Sequence, residues 1–143
     1  MHNFLLALHV LAAIFVIGPL VHAATTAGRG VRTGNAAATK ASARMARIYG
    51  YVSVVVVLLG MSLVRPKWHA EFGDTWVWLS LVLWLGAVAL VLALIVPSLE
   101  RATERITAGE AVGALTARVA AAGGLVGVIF AGIVFLMIYR PGK

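Results

Sequence analysis

The residue of this chain best placed for chemistry is His9, which stands inside an apolar run between Leu8 and Val10. A polar group in hydrocarbon costs free energy unless it is paired, so this imidazole is expected to face the interior of a helix bundle. Two roles fit that position. The ring can hydrogen-bond to a backbone carbonyl or to a serine, Ser62 or Ser80, and fix how two helices pack. Alternatively, its second nitrogen can serve as an axial ligand to haem or bind a metal. Other ligating residues are scattered. His2 shares a helical face with His9 but lies at the terminus, and His69 falls in the second loop. Met61 and Met137 approach the ends of their apolar runs and would allow His/Met ligation, although methionines also serve as flexible packing. His22 lies near the far end of the first run and is expected at the interface or against Tyr49.

The polar residues around this histidine narrow the chemistry. Arg65 and Arg140 flank the same end of the chain's apolar runs as His9 and are the candidate partners for haem propionates. At the opposite end, Arg44, Arg47, Tyr49 and Tyr51 can hold an anionic headgroup or a propionate, or act simply as boundary anchors. Gly18, Gly60 and Gly127 are the positions where a planar ligand would find room. The apolar runs contain no Asp, Glu or Lys, which argues against an ion-coupled transporter. With no cysteine there are no disulfides, thiolate metal sites, iron–sulfur ligands or covalent haem, so a haem here would be b-type.

Four apolar stretches must position these groups, at about 3–24, 48–64, 75–97 and 111–139. A bilayer core is crossed by about 20 apolar residues in helical form. The chain is 62% hydrophobic with a mean hydropathy of +0.98. Backbone amides in lipid must be satisfied internally, which leaves helices or a closed barrel. Barrel strands would alternate, whereas 54–60 and 87–96 are apolar throughout. The reading is all-α: one integral membrane domain over 1–143, a transmembrane four-helix bundle with sequential antiparallel helices. The net charge of +7 follows a topology pattern. Arg29, Arg32, Lys40, Arg44, Arg47, Arg101, Arg105 and Arg118 gather around the first and third loops, against Arg65, Lys67, Arg140 and Lys143 on the other side. The positive-inside rule then puts both termini outside, in a multi-pass protein of the inner (plasma) membrane. Nucleic acid is not an expected partner. The first run is also too long, and too poor in preceding Lys or Arg, for a cleaved signal peptide.

Local signals refine the elements. Gly18-Pro19 predicts a kink or an early stop in the first helix, and Thr25 to Gly34 reads as a flexible turn. Asn35 is placed to cap a second helix starting at Ala36, and Arg65-Pro66-Lys67 ends it. Trp68, Trp76, Trp78 and Tyr139 form an aromatic belt, while the deeper Trp84 requires a partner for its indole N–H or a lipid-facing position. Glu100, Arg101, Glu104 and Arg105 carry the third helix past Pro97 as a solvated charged turn. On the fourth helix Gly123, Gly127 and Ala131, with Ala120 and Gly124 alongside, form a small-residue stripe of the kind that lets helices approach closely in lipid. That stripe is expected to pack inside the bundle. No internal repeat is evident beyond hydropathy.

The run Leu5-Leu6-Ala7-Leu8-His9-Val10-Leu11-Ala12-Ala13, followed by Gly18, resembles the opening helix of small bacterial four-helix integral membrane proteins of unknown function. It is more distantly similar to the CopD and HemJ membrane families. That similarity implies an association of His9 with metal or haem. The small-residue stripe, the aromatic belt and the scattered polar groups favour a non-catalytic membrane protein. The expected role is an accessory or assembly subunit of a larger, respiratory-type membrane complex, with the bilayer and other membrane subunits, or a second copy, as partners. A b-type haem-binding protein or oxidoreductase using His9 is the alternative, and a small transporter the third.

Overall fold

In a computed structural model, which describes residues 2–65, 67 and 72–140, the chain is helical and the described residues contain no strand. The side chain of His2, together with Pro66, Trp68, His69 and Lys143, lies outside the described residues. Four rods are long and apolar enough to cross a membrane: Asn3–Arg32, Ala36–Ser62, Thr75–Thr107 and Gly113–Tyr139. The first comprises α1 (His2–Ala12), a π-helical turn (Ala13–Ile17) and α2 (Gly18–Arg32). The second is α3 (Ala36–Ser62). The third repeats the first pattern, with α4 (Thr75–Leu90), a π-turn (Val91–Ile95) and α5 (Val96–Thr107), and the fourth is α6 (Gly113–Tyr139).

Each π-turn stands just before a proline. Pro19 and Pro97 lack an N–H and crowd the carbonyl four residues back, which falls at Phe15 and Ala93, inside the two π-turns. Widening the helix there absorbs the clash without breaking the rod. Of the kink or early stop expected at Gly18-Pro19, the stop is not found: the helix continues through a π-turn.

The flexible turn expected over Thr25 to Gly34 is likewise helix as far as Arg32, with only Thr33 and Gly34 in the turn. Tertiary burial overrides the weak local propensity here. Ala24, Ala27, Gly28 and Val31 are buried, and the Thr25 and Thr26 hydroxyls donate back to the carbonyls of Val21 (2.8 Å) and His22 (2.6 Å). Gly34 then takes φ +67°, a backbone conformation that glycine adopts without penalty. Asn35 caps α3 as its sequence position predicts, its side-chain oxygen accepting from Ala38 N at 3.1 Å.

The rods form a ring in which neighbours in sequence are neighbours in space. Near the basic loops the packing is closed: α2 lies against α3 and α6, and α5 lies against α3. The core there consists of Leu20, Val31, Val91, Ile95, Leu99, Val119 and Val126, all essentially inaccessible. Toward the end carrying the termini, α1 packs on α3 and α4 packs on α6. The two hairpins therefore close at one end and part at the other.

Small residues set the closed end. A Cβ on Gly123 would stand 2.1 Å from the carbonyl oxygen of Ala24, so α2 and α6 touch backbone to backbone. Gly127 faces the Thr25 methyl, and Ala120 faces Gly28. Gly124 has open space, and Ala131 is exposed on the outer face of α6. The small-residue stripe is thus divided between an inner contact and an outward surface.

Polar links tie the same region together. Thr39 and Thr103 hydroxyls meet at 2.6 Å between α3 and α5. Arg47 of α3 forms an ion pair with Glu100 of α5. Glu100 was expected in a solvated charged turn. Its partner comes from a different helix, which helix-local spacing could not reveal.

Candidate ligand cavity

Where the hairpins part, the gap between them is a cavity of about 420 Å³. That falls in the size range of small-molecule and cofactor sites, roughly 300–1,000 Å³. Its walls are almost wholly apolar: Leu6, Ala13, Ile14 and Ile17 from the first rod, Val56, Val57 and Met61 from α3, Leu81 from α4, and Phe130, Ile133, Val134 and Met137 from α6. Gly18 also lines it, with no atom close enough to meet a Cβ there.

His9 is the imidazole in this wall, and only 8% of it is exposed. Its Nδ1 lies 3.0 Å from the carbonyl oxygen of Val56. A carbonyl can only accept, so Nδ1 carries the proton and, in the neutral ring, the lone pair sits on Nε2. The ring rests on Gly60, where a Cβ would come within 2.9 Å of Cε1. The space Gly60 was expected to leave for a ligand is therefore filled by the histidine itself. The expected serine partners are corrected as well. Ser62 donates to Leu59 O and Ser80 to Trp76 O, each satisfying its own helix.

Other sequence-predicted positions separate cleanly. Met61 and Met137 both line the cavity, as does Arg140, whereas Arg65 is exposed outside it with its Nε donating to the Ser62 carbonyl at 3.3 Å. Arg140 caps α6 with φ +48°, and its guanidinium carbon stands 5.0 Å from the centre of the Trp76 ring, a cation–π contact. Trp76 is corrected from belt residue to interior residue. It is 9% exposed, packs with Val77, Val64, Leu81 and Leu136, and its indole nitrogen is buried with no partner. Trp78 and Tyr139 are exposed, as belt residues are. Trp84 finds its partner in Ser53, Nε1 to Oγ at 3.1 Å, and Ser53 passes the bond on to Gly50 O at 2.6 Å.

At the basic end, His22 is exposed and borders a shallow polar cleft with Thr26, Arg29, Asn35 and Ser42. Gly127 lies against Thr25, away from the cavity. Among the described residues, no three His, Asp or Glu side chains come together as a metal site. The cavity lining therefore includes one imidazole, two thioethers, one guanidinium, the Ser80 hydroxyl and the indoles of Trp76 and Trp84 in an otherwise apolar shell.

Four membrane-length helices around an apolar cavity define a polytopic integral membrane protein. The chain belongs to the family DUF2269, described as a predicted integral membrane protein, whose family model matches residues 3–141. No curated protein and no solved structure matches the chain.

Proposed function

We propose that this membrane protein binds a b-type haem in the cavity between its hairpins, with His9 Nε2 as an axial ligand. The observation that carries the reading is the bond from His9 Nδ1 to Val56 O. Metal-ligating histidines characteristically donate their other ring nitrogen to a carbonyl or carboxylate, which fixes the ring and directs the lone pair at the metal. His9 has that arrangement inside an apolar, cofactor-sized cavity. Met61 and Met137 also line the cavity and could supply a thioether ligand, and Arg140, which lines it too, would pair with a propionate.

The test is the absorption spectrum of the full-length protein purified after haem-replete expression. A Soret band is expected, lost in His9→Ala while the protein remains folded. A colourless, folded wild-type preparation rejects haem and leaves His9 as a packing residue. The arrangement is proposed for a single domain, 1–143, in the inner membrane with both termini outside. Labelling of the first loop by an impermeant reagent from outside intact cells would reverse that topology.

A second reading, an accessory subunit of a larger respiratory-type complex, is supported by the outward face of α6, where Gly124 has open space and Ala131 is exposed. Such positions allow another transmembrane helix to approach closely. Extraction in mild detergent then yields an assembly with larger membrane partners; a stable stand-alone particle argues against it.

A further inference from the structure

We infer that the cavity is filled sideways from the hydrocarbon layer, through the cleft between α1 and α6; the inference rests on the haem reading only for the identity of the ligand. Named groups bridge the other sides. Toward the basic loops the floor is the buried core around Leu20, Val91, Ile95 and Val126. The side between α3 and α4 is bridged at two levels, by Val64 against Trp76 and Val77 and by the Trp84–Ser53 bond. At the terminal end Arg140 stacks on Trp76. Between α1 and α6 the situation is different. α2 packs closely on α6, but beyond the π-turn α1 leaves α6 and packs on α3 instead.

The residues at that cleft are both cavity wall and outer surface. Ile14 is 59% exposed and Val134 54%, and Leu6 and Met137 are exposed beside them. All are apolar, so a water-borne route there would cross a hydrophobic constriction, while an apolar molecule in the membrane meets a matching surface. The π-turn at Ala13–Ile17 is the element that parts α1 from α6. Pro19 fixes its position, and the open space at Gly18 lets the passage continue into the cavity. The ligand class that uses such a portal is a membrane-dissolved, largely apolar molecule with one polar or metal-centred group for His9.

The test uses the full-length protein, in vesicles of phosphatidylcholine brominated in mid-chain, with Trp68→Phe and Trp78→Phe so that only the cavity-lining Trp76 and Trp84 remain and the Trp84–Ser53 bond is kept. Acyl chains that reach the cavity quench their emission. Adding Ile14→Phe and Val134→Phe at the portal removes that quenching, whereas Ile14→Ala increases it. The same portal pair slows haem uptake from haem-loaded vesicles. Should the Phe pair lower the thermal transition, Leu6→Phe alone serves as the plug. Tryptophan emission that stays unquenched, or is quenched equally with and without the plugs, overturns the lateral portal. Absence of a Soret band in every variant with portal-dependent quenching intact rejects the haem reading and leaves the portal standing.

Discussion

The imidazole of His9 is held by a single turn of α3: Nδ1 donates to Val56 O at 3.0 Å, and Cε1 lies over Gly60, one turn further along the same helix. The carbonyl fixes which nitrogen carries the proton, and the missing Cβ at residue 60 fixes how close the ring can lie. The two constraints together leave Nε2 as the nitrogen available to a ligand.

The first prediction follows from that fit. Gly60→Ala puts a Cβ within 2.9 Å of a rigid ring atom, so the ring or α3 must shift. Overpacking of this kind costs about 1–3 kcal/mol. Thermal unfolding in detergent should show the loss, and the His9→Ala/Gly60→Ala double variant should recover it relative to His9→Ala alone. A Gly60→Ala penalty that persists without the imidazole would place the strain elsewhere.

Adjacent glycines on α6 should respond oppositely. At Gly123 a Cβ would meet the Ala24 carbonyl at 2.1 Å, backbone against backbone, so only separation of α2 from α6 relieves it. Gly123→Ala is expected to cost about 3 kcal/mol or more, the upper end of overpacking. Gly124→Ala enters open space and should stay within about 0.5 kcal/mol of wild type. Equal melting temperatures for the two variants would contradict the closed packing.

Ser53→Ala removes the acceptor for Trp84 Nε1 and leaves a half-buried donor unpaired. A stranded donor costs about 1–3 kcal/mol. Replacing Trp84 by Phe in the same chain removes that donor, so Ser53→Ala should be less damaging in the Trp84→Phe background. A double-mutant cycle reads the coupling directly. Strict additivity would mean that the bond carries no coupling energy.

The Arg47–Glu100 pair joins α3 to α5 but remains about half exposed on both sides, at 53% and 48%. Solvent screening keeps such pairs to about 0–1 kcal/mol. Glu100→Gln should therefore shift the thermal transition only slightly, and raised salt should narrow the difference from wild type. A large, salt-independent loss would show that the pair is buried in the assembled membrane protein.

Hydropathy alone determined that this chain is helical and crosses a membrane four times, because lipid offers the backbone no other partner and helix length must match bilayer thickness. The cap at Asn35 and the continuation past Pro97 were also legible, since each depends on residues adjacent in sequence. His9 could be singled out by its polarity in an apolar run. Its partner could not, because Val56 contributes a main-chain oxygen, and every residue has one. The same limit hid the Arg47–Glu100 pair, the burial of Trp76, and the helical state of Thr25 to Arg32. Each is fixed by contact between helices distant in sequence. Tertiary structure alone decided that the hairpins close where Gly123 meets Ala24 and part beyond the π-turn at Ala13–Ile17, and that parting creates the cavity. A cavity is defined by where several helices fail to meet, and no single segment of sequence encodes that.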